Sequence, residues 1–419
     1  MQKLRAYREI LNGDKAIIAN RDNGAWIKIS RYCRDIIQKA CELSLTDEEL
    51  LSSLADDEDR EYFRNLLSKL NELGVIGNKE QQIKIDVVYL LITNRCNLKC
   101  IHCCADAADE ASEVCSREMG IDEWRYVIDK VSALKPTGIV LTGGEPLVKK
   151  EFLEILEYLR NKYEGTIALA TNATLITDDN VKILTDLVDK FDVSIDGIDE
   201  ETCSKVRGKG VFERVLRSIE LLKLYGAKQI TLSMTFGTAN FHLKDRFMQL
   251  NQELGTTPIV RVFMPKGRGE KSAKKFNPYM NTDPDTSFTA QEIEEARKSL
   301  TIIRCGAGMG EFVINYDGWL YPCPNMIKER YKMIHIRDIE DLHYLHEKLY
   351  QQKSDGMRHL KEIQPENVEK CKNCKVNMFC WTCLEDLELH LSDEETFQQR
   401  CNNKRKILYS ILWGKDPEV

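Results

Sequence analysis

Cys96-Asn97-Leu98-Lys99-Cys100-Ile101-His102-Cys103 places three thiols at CxxxCxxC spacing directly after an apolar run, Val87–Thr93. An unbroken apolar run of that length fits a strand buried on both faces of a parallel sheet. Three cysteines at a strand-to-loop exit can wrap one corner of a metal cluster. A structural zinc site takes four ligands, whereas three thiolates leave a cubane [4Fe–4S] cluster with one iron free. Forty residues on, Leu141-Thr142-Gly143-Gly144-Glu145-Pro146 follows a second strand-like run, Gly138–Leu141.

The alternation continues. Strand-like runs recur at Thr166–Thr171, Phe191–Ile195, Gln229–Thr235 and Pro258–Phe263. Helical patterns lie near Asp122–Leu134, Glu151–Tyr163, Asp178–Asp189, Val211–Tyr225 and Leu243–Leu254. Six strands with intervening helices predict an α/β fold with a parallel sheet, open or closed. In such sheets chemistry gathers at the C-terminal strand ends. Ala170-Thr171-Asn172-Ala173-Thr174, Val193-Ser194-Ile195-Asp196-Gly197 and Met264-Pro265-Lys266-Gly267-Arg268-Gly269 all stand there.

The cysteine loop and the Gly-Gly-Glu-Pro turn together resemble the radical S-adenosylmethionine (SAM) enzymes. The resemblance implies a partial (β/α)₆ barrel over residues 86–300, with a [4Fe–4S] cluster on Cys96, Cys100 and Cys103. It also implies SAM contacts at Gly143, Gly144, Glu145, Asn172, Ser194 and Arg207, with Glu145 accepting from the methionine ammonium. His102 takes the family's aromatic position, its ring near the adenine. Ala173 stands where the family's TNGT has glycine. The implied chemistry is one-electron cleavage of SAM to a 5′-deoxyadenosyl radical that removes hydrogen from carbon. A flavodoxin- or ferredoxin-type reductant is implied with it.

The 419 residues carry a net charge of −7, which advertises no large basic surface for nucleic acid. The basic stretch Lys266–Lys275 is interrupted by Gly267, Gly269 and Glu270 and reads as a solvated loop first and a ligand site second. Fifteen cysteines are too many for an ordinary core. Met1-Gln2-Lys3-Leu4-Arg5 opens no apolar signal region, and no run reaches transmembrane length. The expectation is a cytoplasmic, non-membrane protein that spends its cysteines on clusters. Cys33, Cys41, Cys104, Cys115 and Cys203 fall outside the cluster spacings and read as small buried hydrophobes.

Residues 1–80 read as a separate domain. Ala16-Ile17-Ile18-Ala19 and Trp26-Ile27-Lys28-Ile29 flank Asn23-Gly24 as a hairpin. Helices follow at Ser30–Leu43, Thr46–Leu54 and Asp59–Leu73, the second with a Thr46/Glu49 capping box. Val75-Ile76 reads as a short strand and Gly77–Gln82 as a linker. This order resembles the winged-helix, PqqD-like element that binds the leader of ribosomally made peptides as an added strand. A DNA-binding winged helix and a structural cap are alternatives. The first is disfavoured by Asp47, Glu48, Glu49, Asp56, Asp57, Glu58 and Asp59.

In residues 301–419 seven cysteines recur at regular spacing: Cys305, Cys323, Cys371, Cys374, Cys380, Cys383 and Cys401. Phe312–Tyr321 reads as a hairpin with Gly318 at its tip. The cysteine pattern resembles the SPASM domain, which implies two auxiliary [4Fe–4S] clusters. Cys371, Cys374, Cys380 and Cys401 would hold the outer one. Cys305, Cys323 and Cys383 would hold the inner one with an open iron. The final pair has two residues between its cysteines where the motif has three. A zinc ribbon would use four of the seven cysteines and leave Cys305, Cys323 and Cys401 idle.

The three parts together resemble the maturases of ribosomally synthesised precursor peptides, of sactipeptide or ranthipeptide type. They imply a thioether crosslink from a substrate cysteine to carbon. Carbon–carbon crosslinking or epimerisation needs the same parts without the substrate thiol. Sulfatase-type formylglycine formation is disfavoured by the N-terminal extension.

Overall fold

The computed structural model describes residues 7–20, 23–76, 85–107, 117–276, 289–302, 304–351, 353–381 and 383–414. They fall into two compact units. One gathers Met1–Gln82, Asn281–Cys305 and Lys361–Val419, and the other Ile83–Met280 and Gly306–Leu360. The expected linker at 77–82, and Cys115, lie outside the described residues.

In the first unit β1 (Tyr7–Asn12), β2 (Lys15–Asn20) and β3 (Trp26–Ser30) form an antiparallel sheet in that order. β2 is central and sandwiched, which is why Ala16–Ala19 is apolar on both faces. Ala16 and Ile18 pack on α1 (Arg31–Glu42), α2 (Asp47–Ser52) and α3 (Asp57–Glu72). Ile17 and Ala19 turn the other way, into a core with Val376, Phe379, Trp381 and Leu412. Trp26 Nε1 donates to the Leu300 carbonyl at 2.6 Å, and its ring meets Phe379 edge-on at 5.3 Å.

The expected caps form. Ser30 Oγ accepts from the Cys33 N–H at 3.1 Å, and Thr46 with Glu49 closes a capping box. Two local expectations fail. Asn23-Gly24 is not a two-residue turn, because residues 21–25 separate β2 from β3. The side chains of Asn20 and Asn23 both donate to the Leu73 carbonyl, at 2.8 and 3.0 Å, and tie the longer loop to the end of α3. Val75-Ile76 is a bend rather than a strand. Gly74, at φ +69°, closes α3, and the Val75 N–H turns back to the Leu70 carbonyl at 2.9 Å.

The second unit is an eight-stranded, mostly parallel sheet. Its strands are β4 (Val87–Thr93), β5 (Gly138–Gly143), β6 (Thr166–Thr171), β7 (Lys190–Ser194), β8 (Ile230–Phe236), β9 (Thr257–Val262), β10 (Glu311–Ile314) and β11 (Leu320–Tyr321). The order is β11-β10-β4-β5-β6-β7-β8-β9, with only β11 antiparallel. The first six are the expected ones. The Phe312–Tyr321 hairpin also forms, Gly318 at φ +83°, but β10 additionally pairs with β4 in parallel, which spacing did not foretell. Between the strands run α4 (Ile121–Ala133), α5 (Phe152–Lys162), α6 (Val181–Leu187), α7 (Glu200–Arg207), α8 (Val211–Leu224) and α9 (Lys244–Glu253). Of these only α7 went unpredicted.

Alternate residues of β4 divide between two environments. Val88, Leu90 and Ile92 are fully buried with Trp124, Val127 and Ile128 of α4. Tyr89 faces the other way. Burial pushes its hydroxyl up to about 12, and Glu311 on β10, Arg261 on β9 and Asp192 on β7 act on it electrostatically. In a flat sheet β4 and β9 would stand about 24 Å apart, five strand spacings. The sheet is therefore curled, and these side chains share its concave face. By register that face also carries the small or polar Thr142, Ala168, Ala170, Ser194 and Thr235 together with the apolar Leu91, Val140 and Ile259. Among the described residues no helix is long and apolar enough to cross a membrane.

Candidate cluster and cofactor site

The cysteine loop leaves β4 under restraint. Glu118 accepts from Thr93 Oγ1 at 2.6 Å and the Asn94 N–H at 2.8 Å, and pairs with Arg95 at 2.9 Å. The far side is held by the Gly267–Ser272 turn. Arg268 donates to the carbonyls of Cys100 and Ala107, and Ser272 Oγ to that of Ile101. Gly267 is necessary there: a Cβ would lie 2.8 Å from the Cys103 carbonyl oxygen. The basic stretch read as a solvated loop thus braces the thiols.

Cys96, Cys100 and Cys103 stand within electrostatic reach of one another. Burial lifts the Cys96 thiol to about 11 and raises Cys100, which the Arg207 cation partly offsets. Cys96 Sγ accepts from the Leu98 N–H at 3.4 Å and Asn172 Nδ2 at 3.9 Å; Cys100 Sγ accepts from Arg207 Nη1 at 3.9 Å. Among the described residues no three His, Cys, Asp or Glu side chains close around a single ion. Thiolates sharing one zinc stand about 3.8 Å apart, whereas those on separate irons of a cubane stand wider. Three mutually sensed thiols, with N–H donors on Cys96 and Cys100, fit a cluster corner.

Gly143 and Gly144 serve the same loop. A Cβ on Gly143 would lie 2.3 Å from the Thr93 carbonyl oxygen, and one on Gly144 2.2 Å from that of Arg95. Replacing Gly144 by alanine is therefore expected to cost at least about 1–3 kcal/mol by overpacking and to misplace the thiols. Denaturant unfolding and iron content of the reconstituted variant check this. Glu145 is completely buried. Its carboxylate accepts from Thr171 Oγ1 at 2.7 Å, the Asn172 N–H at 2.7 Å and the Leu147 N–H at 3.3 Å. Burial nonetheless dominates and raises its carboxyl. Three donors leave acceptor capacity for one more, and an arriving cation would favour the charged form. Ala173 holds the αL conformation that a glycine adopts freely, at φ +59°.

The residue that sequence reasoning missed is Asp196. Its Oδ2 accepts from His102 Nε2 and Arg207 Nε, both at 2.7 Å, and its Oδ1 from the Thr235 N–H at 2.6 Å. All three side chains are buried, Asp196 at 2 % exposure. Burial alone would raise the Asp196 carboxyl; Arg207, His102 and the Thr235 N–H outweigh it and hold it well below the usual carboxylate range. Arg207 is thus committed to Asp196 as well as to Cys100. His102, fixed through Nε2, keeps a buried Nδ1 without a partner among the described residues. Ser194 meets the Ser233 hydroxyl at 3.4 Å. A cation eleven residues past an aspartate at a strand end was the available signal.

Residues 90–245, from β4 to the start of α9, match the radical SAM superfamily. The chain carries a radical SAM domain. Proteins with this domain bind a [4Fe–4S] cluster and SAM. Over 258 residues the chain is 26 % identical to the mycofactocin maturase MftC of Mycolicibacterium smegmatis, 57 % of this chain and 64 % of that one. Over 321 residues it is 25 % identical to the antilisterial bacteriocin subtilosin biosynthesis protein AlbA of Bacillus subtilis, 70 % and 69 %. Over 189 residues it is 34 % identical to an AdoMet-dependent heme synthase of Methanosarcina barkeri, spanning about half of that relative, 51 %. Among solved structures it resembles Streptococcus suis SuiB bound to precursor peptide SuiA, with TM-score 0.51, 14 % identity and coverage of 89 % and 94 %. At that identity the likeness shows the fold.

Beyond the radical SAM domain, the C-terminal cysteines divide. Cys371, Cys374, Cys380 and Cys401 act on one another electrostatically. Burial pushes Cys371 to about 11 and Cys380 to about 12, and the Trp381 side chain donates to Cys371. Cys383 is held differently, at the N-terminus of the helix Leu384–Leu391, where the backbone N–H groups of Glu385 and Asp386 meet its sulfur. Cys305 lies in the same compact unit as Cys383, and Cys323 in the other. Of the cysteines outside the spacings, Cys33 and Cys203 are buried as expected, Cys41 is half-buried, and Cys104 is exposed.

Proposed function

We propose that this chain is a radical SAM maturase that installs thioether crosslinks, cysteine sulfur to carbon, in a ribosomally made precursor peptide. The observation that carries this reading is the division of the C-terminal cysteines into a mutually interacting four and a separately held Cys383. The mutually interacting four favour an outer auxiliary cluster; the inner cluster, with an iron open to a substrate thiolate, rests on the resemblance of the cysteine spacing, which implies Cys305, Cys323 and Cys383. When bound, the first cluster and SAM supply a 5′-deoxyadenosyl radical that takes hydrogen from carbon.

The chain's own residues do the rest. Cys96, Cys100 and Cys103 hold the SAM cluster. Glu145 takes the methionine ammonium, and Asn172, Ser194, His102 and the free N–H groups of Arg207 orient the remainder of SAM. The concave face of the sheet admits the peptide beside it. Residues 1–80 bind the leader: β3 pairs only with β2 among the described residues, so its outer edge offers backbone groups to an added strand. Peptide maturases among the relatives, and the SuiB complex with its precursor, support a peptide substrate. The division into residues 1–80, 86–300 and 301–419, a cytoplasmic setting and a flavodoxin- or ferredoxin-type reductant belong to the same reading.

The test is anaerobic, iron-replete co-expression with a cysteine-containing short peptide encoded beside the protein. Intact mass is recorded before and after reduction and thiol alkylation. Loss of two hydrogens per crosslink, with cysteines that resist alkylation, is the expected result. Loss of two hydrogens with every thiol reactive would replace thioether by carbon–carbon crosslinking. Deuterium uptake from solvent without net mass loss in ordinary water would replace it by epimerisation.

A further inference from the structure

The helix Glu394–Trp413 carries Cys401, with Arg400 immediately before it and Arg405 one turn beyond. The Arg400 side chain is only 9 % exposed. Its guanidinium lies 3.7 Å from the centre of the Trp381 ring, and Nη2 pairs with Asp386 at 3.3 Å. Its Nη1 is buried and meets no hydrogen-bond acceptor among the described residues, and the same holds for Arg405 Nε. Both cations act electrostatically on Cys401, and Arg400 also on Cys380.

A buried cationic donor left unmatched is costly. Here two arginines beside the same cysteines each have one. Asp386 and the Trp381 face account for only part of Arg400. What is missing is an acceptor, and the groups on which both cations act are the thiols. A [4Fe–4S] cluster on Cys371, Cys374, Cys380 and Cys401 is such an acceptor, since its thiolate and sulfide sulfurs take N–H bonds and its net charge is negative.

We propose that Arg400 and Arg405 donate N–H···S hydrogen bonds to the outer auxiliary cluster and hold its reduction potential up. This rests on the four-cysteine site of the proposed function. Reduction adds one electron, and so one negative charge, to the cluster. A guanidinium buried nearby is weakly screened and favours that added charge, and N–H bonds to sulfur act in the same direction. The planar Arg fork suits both the Trp381 face and the cluster, which a lysine ammonium matches only in charge. The two arginines are positioning residues: they tune the cluster and touch no substrate.

The test is an EPR-monitored redox titration of reconstituted, full-length protein lacking the thiols of Cys96, Cys100 and Cys103. The outer signal is identified by its loss in Cys380→Ala. Arg400→Gln is expected to lower the outer midpoint so that, at fixed potential, the reduced-to-oxidised ratio falls at least tenfold, about 59 mV for one electron. Arg405→Gln is expected to lower it less. Arg400→Lys is expected to recover part of the loss. Midpoints unmoved at unchanged iron content would overturn the proposal and leave the arginines as struts for Trp381 and Asp386. If Arg400→Gln sheds iron, Arg405→Gln, which keeps both of those contacts, decides by the same criterion. Failure of the underlying reading shows separately: Cys380→Ala would then change neither iron content nor spectrum.

Discussion

Replacing Asp196 by alanine is expected to destabilise the protein by about 3–5 kcal/mol, because it strands a buried cation. Arg207 and His102 are each 9 % exposed on their side chains, and Asp196 is their shared acceptor. The effect comes from the leftover charge rather than from the pair's own worth, so Arg207→Met in the same chain should restore most of the loss. Denaturant midpoints of the two variants measure both steps. A single Asp196→Ala variant within about 1 kcal/mol of the parent would show that the triad is not what orders this loop. The pH dependence follows in sign. The folded carboxyl is held below its ordinary value of 3.8, so its stabilisation is fully present above that value. It is lost as pH falls below it, toward the folded pKa. Asp196→Ala should therefore flatten the acid limb of the stability curve.

Removing the three thiols of Cys96, Cys100 and Cys103 together is expected to abolish 5′-deoxyadenosine formation outright while lowering iron by roughly one four-iron cluster per chain. The thiols sit on a loop whose shape is fixed by Glu118, Arg268 and Ser272, so the loop should persist without them. Circular dichroism should be unchanged. The matching removal of Cys371, Cys374, Cys380 and Cys401 should lower iron by a similar amount and leave SAM cleavage itself in place, uncoupled from peptide modification. Retained 5′-deoxyadenosine formation in the first variant would move the SAM cluster elsewhere in the chain.

Strand and helix positions in the second unit were legible because hydrophobic periodicity is local, and each βα unit repeats it. The cysteine loop was legible because its three cysteines lie within eight residues. Asp196 was not, since its bond to His102 spans 94 positions and no spacing encodes a buried ion pair. Nor was the docking of β10 against β4, or the shared core of Ile17 and Ala19 with Phe379 and Trp381. In these cases an apolar run reports that a face is covered without reporting by what. The Asn23-Gly24 turn failed for the same reason: the long-range pull of Leu73 on Asn20 and Asn23 overrides a local preference. The basic stretch around Arg268 read as solvent-facing because its partners are carbonyls of a loop far away in sequence.

The central claim is tested most directly by incubating anaerobically reconstituted protein with SAM, a strong one-electron reductant and the neighbouring cysteine-containing peptide. 5′-Deoxyadenosine and modified peptide are quantified from the same samples. The account predicts that both form, in equal amounts once SAM cleavage without peptide is subtracted, with peptide two hydrogens lighter and its bonded cysteine closed to alkylation. Iron-loaded protein that releases no 5′-deoxyadenosine would contradict it.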